Sequence, residues 1–223
     1  MSALPARDAY RRWAATYDAE TAVSFLEDRV VTELGVETAG RTLLDVGCGV
    51  GRRLRDSNAA LAVGIDLTVE MLAASTSAMR GSAADARALP FRPNTFDVVW
   101  CRLMVGHLPE TEALFAELAR VCRPNGHVIV SDLAAEAVRA GHQRTFRDAD
   151  GVTREVEHYV HSADAQRDAA HRAGLELCAH RLGHIGPAIE SFYAEAGRLS
   201  LYEQQRGTPL VLVLSFQKRG APA

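Results

Sequence analysis

Glycines 47, 49 and 51 and the acids Asp45, Asp66 and Asp85 are the residues whose types and spacing point to chemistry. Leu43 to Gly51 reads LLDVGCGVG, an apolar strand run that breaks into glycines before a helix-forming stretch. A strand, glycine turn and helix start form a site for an anionic group, because free backbone N–H groups and the helix dipole face it. Glycine also lets the backbone approach a ligand with no Cβ between them. A second apolar run ends GIDL at Asp66, roughly twenty residues further on, where an acid accepts both ribose hydroxyls of an adenosine ligand. Asp85 stands in the loop AADARALPF. The glycines fall as GxGxG, whereas dinucleotide enzymes show GxGxxG, so the spacing counts against a nicotinamide-dependent dehydrogenase.

Other reactive side chains read more plainly. Cys48, Cys101, Cys122 and Cys178 are widely spaced, with no CxxC pair, and are expected as reduced thiols. Cys48 is a small residue within the turn. The histidines form no HExxH or comparable ligand pattern, so no metal is expected. Arg52, Arg53 and Arg55 read as a solvated helix face. A formal net charge of −3 argues against a nucleic-acid binder held mainly by phosphate contacts. No apolar run reaches the roughly 18 residues of a membrane span. The start, MSALPARDAYRRW, lacks the apolar centre of a secretory signal, so a cytoplasmic location is expected.

The elements that must position these residues follow a βα rhythm. Residues 5–34 read as one or two amphipathic helices burying Tyr10, Trp13, Tyr17, Phe25, Leu26 and Val30. Strands are expected at Thr42–Val46, Ala60–Asp66, Phe96–Cys101 and His127–Asp132, and helices at Val69–Met79 and Thr111–Cys122. This alternation implies an α/β fold with a parallel sheet and helices on both faces. Further on, Arg144–Phe146 and Val152–Val160 predict a hairpin. Period two places Val152, Val156 and Val160 on one face and Glu155, Glu157, Tyr159 and His161 on the other. Ser162 is expected to cap a helix over Ala163–Ala173, closed by Gly174. A strand over Leu175–Arg181, a helix over Ile189–Leu199 and a strand over Leu210–Gln217 complete the chain. The two late strands have the option of pairing antiparallel at one sheet edge.

Taken in order, LLDVGCGVG, GIDLTVEML, AADARALPF, NTFDVVWCRLMVGHLP and ELARVCRPNGHVIVSDL resemble the class I S-adenosylmethionine (SAM)-dependent methyltransferases. The nearest group is the type 11, or UbiE-like, family of small-molecule enzymes, and the resemblance covers about residues 10–135. It implies a doubly wound, Rossmann-like, seven-stranded and mostly parallel sheet with an antiparallel C-terminal strand. It implies one domain: a helical cap over 1–40, a SAM-binding core over 41–135, a hairpin insertion over 136–162 covering the acceptor, and the remaining sheet over 163–223. Carried over by position, Asp45 lies near the cofactor's amino group, and Gly47, Cys48 and Gly49 line its methionine part. Asp66 holds the ribose, Leu67 lies beside the adenine, and Asp85 and Ala86 meet the adenine. Cys101 lies near the sulfonium, and Tyr10 and Tyr17 close over the cofactor. The chain departs from the family at VCRPNG, where VLRPGG is commoner, and at Gly106-His107, where two histidines are commoner.

The implied reaction is an in-line transfer of a methyl group from SAM to a small-molecule acceptor, leaving S-adenosylhomocysteine (SAH). Alignment and exclusion of water are the protein's main tasks. A general base is needed only if the acceptor must lose a proton, and His107, His161 and Tyr159 are the candidates. The alternative for His107 is a loop-structuring role. The alternative for the whole chain is a SAM- or SAH-binding protein without catalysis. The expected partners are a small-molecule acceptor and at most a second copy of the chain, as monomer or homodimer, with no nucleic acid and no membrane span.

Overall fold

The strand Thr42–Val46, TLLDV, is apolar on both sides, and Leu43, Leu44 and Val46 are fully buried. A strand buried on both faces belongs in the middle of a sheet covered by helices. The computed structural model describes residues 3–17, 19–75 and 80–220 and shows this arrangement. Helices α1 (Ala6–Trp13) and α2 (Ala22–Thr32) precede β1 (Thr42–Val46). Then follow α3 (Arg52–Arg55), β2 (Leu61–Asp66), α4 (Val69–Ala73), β3 (Arg80–Ala83), β4 (Phe96–Arg102), α5 (Glu112–Val121) and β5 (Cys122–Leu133). The last part comprises α6 (Ala135–Arg139), β6 (Thr145–Arg147), β7 (Thr153–Glu155), α7 (Ala163–Arg172), β8 (Leu175–His184), α8 (Glu190–Glu195), α9 (Leu199–Gln205) and β9 (Pro209–Lys218).

Among the described residues, seven strands form one sheet in the order β3-β2-β1-β4-β5-β9-β8. Strands β1 to β5 pair in parallel. Strand β9 runs antiparallel to both β5 and β8, so it alone opposes the rest. This is a Rossmann-like class I methyltransferase fold. Strand periodicity sorts the core into two layers. Leu44, Val99, Val128 and Val130 face α5, where Phe115 and Leu118 are fully buried. Leu43, Val98, Ile129 and Val211 face α2, whose Leu26 and Val30 stand one helical turn apart. Each such side chain contributes roughly 1.5–3 kcal/mol by leaving water. Helix α2 begins at a reciprocal cap: Ser24 N donates to Thr21 Oγ1 at 3.1 Å and Thr21 N to Ser24 Oγ at 2.9 Å.

Several local expectations change. The helix expected over Val69–Met79 ends at Ala73, and residues 76–79 lie outside the described residues. The edge strand β3, RGSA, carries no apolar alternation, because all four residues are exposed. The strand expected over Val152–Val160 stops at Glu155, so its alternating faces do not form; Val152 and Val160 are exposed and only Val156 is buried. The helix expected over Ile189–Leu199 breaks at Gly197, whose φ of 66° is left-handed, and restarts as α9. The hairpin β6–β7 forms a separate two-stranded sheet. Among the described residues no helix is long and apolar enough to cross a membrane.

Candidate active site

The glycine turn hangs on β2: Gly47 N and Cys48 N both donate to the Ile65 carbonyl, at 2.8 and 2.9 Å. Gly47, Gly49 and Gly51 all have positive φ. A Cβ on Gly47 would stand 2.5 Å from Met104 Cγ, so this position needs glycine twice over. The following helix, α3, is a single turn of four residues, too short for a substantial macrodipole. The site therefore depends on its acids more than on a helix N-terminus.

Those acids differ in how they are satisfied. Asp66 Oδ2 accepts from Gly49 N at 2.9 Å and Oδ1 from Thr68 N at 2.8 Å; burial still pushes its carboxyl above the ordinary range. Asp85 is bound by the Arg87 guanidinium at 2.6 Å, and that hydrogen bond holds its carboxyl low. Asp45 is 1% exposed, yet neither carboxylate oxygen has a hydrogen-bond partner. Burial pushes it up to about 6, against the attraction of Arg53 and Arg102. A buried, unpartnered carboxylate is costly and marks a place that a cationic donor would complete.

A cavity of about 120 Å³ gathers Gly47, Gly49, Asp66, Leu67, Asp85 and Ala86. A second cavity, of about 470 Å³, lies against it and is lined by Cys48, Trp13, Arg144 and Tyr193 among others. Tyr10, Tyr17 and Leu103 line both and form the partition. The partition is held by an aromatic cluster from the N-terminal segment. Trp13 stacks on Tyr10 at 5.5 Å and on Phe146 at 5.0 Å between centroids, with Tyr17 edge-on at 4.9 Å. The hairpin supports that segment: Leu4 N donates to Glu155 O at 2.9 Å, Glu157 N to Leu4 O at 2.8 Å, and Ala9, Phe146 and Val156 form a small core.

A buried polar chain runs behind the partition. The Tyr10 hydroxyl donates to His107 Nε2 at 2.9 Å and accepts from Arg144 Nη1 at 3.3 Å. Arg144 Nη2 donates to Asp132 Oδ1 at 3.0 Å, and His158 Nε2 meets the same oxygen at 3.0 Å. Burial, reinforced by Arg144, pulls His107 down to about 3, so it is neutral; Nδ1 faces the Glu157 carbonyl at 3.5 Å and carries the proton, which leaves Nε2 to accept. Burial alone would raise Asp132, but His158 and Arg144 hold it at about 2. A Cβ on Gly106 would collide with His158 Nε2 and Asp132 Oδ2, so Gly106-His107 leaves room for this chain where a second histidine would not. Sequence reasoning missed Asp132, Arg144 and His158 as one unit, because they come from separate segments.

A second buried network fixes the end of β4. Arg102 donates to Glu27 at 2.8 and 2.7 Å, Arg53 to Glu27 at 3.0 Å, and Ser131 Oγ to Glu27 at 2.6 Å. Arg53 is thus not on a solvated face: its side chain is 13% exposed, and Arg52 likewise reaches Asp28 at 3.2 Å. The acids of α2 draw both arginines inward.

Four further residues sit elsewhere than the sequence reading placed them, and Asp45, though buried, lines neither cavity. Cys101 is fully buried in the core and lines neither cavity; Arg102 and Leu103 occupy the rim. Tyr159 and His161 also line neither cavity. Because β7 ends early, the chain beyond it turns back to the core, where Tyr159 N donates to Gly106 O at 2.7 Å and His161 Nε2 to Leu108 O at 2.8 Å. Cys48 lines the larger cavity, not the smaller. Its burial raises the thiol above the ordinary range.

The chain resembles known proteins in sequence and in fold. A family model described as a methyltransferase domain matches residues 44–130. Phosphoethanolamine N-methyltransferase 2 of Caenorhabditis elegans is 32% identical over 114 residues, covering 46% of this chain and only 26% of that protein's length. Ubiquinone biosynthesis O-methyltransferase of Cupriavidus pinatubonensis is 32% identical over 196 residues, covering 81% of this chain and 74% of that protein. A SAM-dependent methyltransferase structure from Mesorhizobium loti superposes with a TM-score of 0.66 at 19% identity, over 86% of this chain and 98% of that one, a likeness of fold. With the glycine turn, the acids and the strand order all in register, the chain belongs to the class I SAM-dependent methyltransferase superfamily.

Proposed function

We propose that the protein transfers a methyl group from SAM to a small-molecule acceptor, as one of the UbiE-like enzymes within the superfamily. The observation that carries this reading is the pair of abutting cavities, one built from the glycine turn and its acids, the other from aromatic side chains. The smaller cavity fits the cofactor chemically. Asp45, two residues before Gly47, is buried and lines neither cavity, but it lacks a hydrogen-bond partner and suits an ammonium group. Asp66 suits vicinal hydroxyls, and Leu67, an exposed apolar side chain beside Asp85 and Ala86, suits a heteroaromatic ring. Gly47 and Gly49 leave the backbone bare for the remainder of the ligand. When bound, SAM supplies a methyl group on a positively charged sulfur, already activated for in-line displacement.

The chain's own residues then align and enclose. Tyr10, Tyr17 and Leu103 line both cavities and so flank the junction where acceptor and methyl group would meet, and the aromatic cluster beside them excludes water. His107 works as a positioning residue: held neutral by burial, it fixes the Tyr10 hydroxyl through Nε2. Arg144 donates to the same hydroxyl, so its oxygen is presented as a polar contact in the partition. Tyr159 and His161, which support the loop after the hairpin, have no part in the transfer on this reading.

The test is calorimetric titration of SAH into the wild-type protein and Asp66→Ala, followed by an acceptor screen with methyl-labelled SAM. Binding that weakens at least about tenfold in the variant, 1.4 kcal/mol, is expected. No binding to folded wild-type protein would end the reading. Binding with no transfer to any acceptor would favour a SAM- or SAH-binding regulatory protein.

A further inference from the structure

We infer that the larger cavity takes a ring-bearing organic anion, which is the acceptor if the transfer proposed above is right. Its walls are aromatic: Tyr10, Trp13, Tyr17, Phe192 and Tyr193. Flat rings pack well against such walls. Among the described residues, every charged side chain in the lining is an arginine, Arg52, Arg53, Arg144 or Arg198, and none is an aspartate or glutamate. Two of these are already answered, because Arg52 and Arg53 pair with acids of α2 behind the wall. The other two have donors to spare.

Arg144 spends its Nη2 on Asp132 and its Nη1 on Leu103 O and Tyr10, but its Nε is buried with no partner. Arg198, between α8 and α9, is exposed, and no described residue pairs with its side chain. The Arg144 Nε lies beneath the wall, so the donor open to a ligand is the exposed guanidinium of Arg198, and a guanidinium is completed best by an anionic oxygen. Aromatic walls alone would also suit a quaternary ammonium. Such a cation would meet the uncompensated guanidinium of Arg198 and, among the described lining residues, no carboxylate, and like charges repel. The pattern therefore selects an acidic group on an aromatic or conjugated ring.

The experiment is calorimetric titration of 2-naphthoate, uncharged 2-naphthamide and 2-naphthyl phosphate into the full chain, with and without SAH. We expect 2-naphthoate to bind at least tenfold tighter than the amide. In Arg198→Gln, an exposed change that should leave the fold and SAH affinity intact, that preference should fall below threefold. Arg144→Gln should lower it as well. If 2-naphthyl phosphate binds tighter than 2-naphthoate, the anionic group is a phosphate; the reverse makes it a carboxylate, and both support the inference. Equal affinity for acid and amide, or no binding of either to a protein that binds SAH, overturns it while leaving the cofactor reading intact. A naphthoate preference in a protein that fails to bind SAH keeps the anion site and removes the methyl-transfer reading.

Discussion

Replacing Asp45 by asparagine should erase a pH dependence of SAH binding. The free carboxyl is buried without a partner and titrates at about 6. An ammonium group binds only its ionised form. At pH 5 roughly one molecule in eleven carries the charge, so affinity is about tenfold weaker than at pH 8, or about 1.4 kcal/mol. Binding at pH 5 should then release about 0.9 proton, and at pH 8 almost none. Calorimetry in two buffers of different ionisation enthalpy counts those protons directly. Asp66 is also raised, so the informative quantity is the difference between wild type and Asp45→Asn. The variant should bind at least about tenfold more weakly at pH 8, as for a lost charge-assisted contact, and should lose the extra proton release. Wild-type and variant proteins with the same affinity and the same proton count from pH 5 to 8 would refute the assignment of Asp45 to the ammonium group.

Two further outcomes follow from the buried networks. His107, neutral down to about pH 3, should contribute no limb to the pH–rate profile between pH 5 and 8; a limb near pH 6–7 that disappears in His107→Gln would make it a general base after all. Burial alone would raise Glu27, but Arg102 and then Arg53 hold it at about 2 against an ordinary 4.5. A depressed carboxyl stabilises the folded state above its unfolded pKa, and that stability is lost as pH falls from about 4.5 through about 2. The shift corresponds to about 3 kcal/mol. Glu27→Gln should accordingly cost about 3–5 kcal/mol at pH 7, because Arg102 is left buried without its charge partner, and much less at pH 2–3. Denaturant unfolding followed by tryptophan fluorescence at both pH values measures this; an equal loss at both would assign the effect to packing.

The sequence by itself determined the sheet and the glycine turn with its neighbouring acids. Strands such as TLLDV and FDVVWCR are continuous apolar runs, and the alternation of Leu43 with Leu44 and of Val98 with Val99 dictates two buried layers without reference to any distant residue. The glycine turn, Asp66 and Asp85 were legible because each sits at a strand end, so local spacing carries its position. Short elements were less legible: β3 has no apolar pattern, and β7 ends at Glu155, where Val156 still donates to Arg144 O but packs against the N-terminal segment. Only the tertiary structure decided the larger cavity and the networks around it. Arg53 reads as a surface cation until Glu27 of α2 is placed beneath it. Tyr10, His107, Asp132 and Arg144 lie as much as 134 residues apart and meet in one hydrogen-bonded chain. Cys101 leaves the site and Tyr10 enters the partition for the same physical reason. Strand periodicity says which side of a sheet a residue faces, whereas docking of separate segments decides whether core or cavity lies on that side.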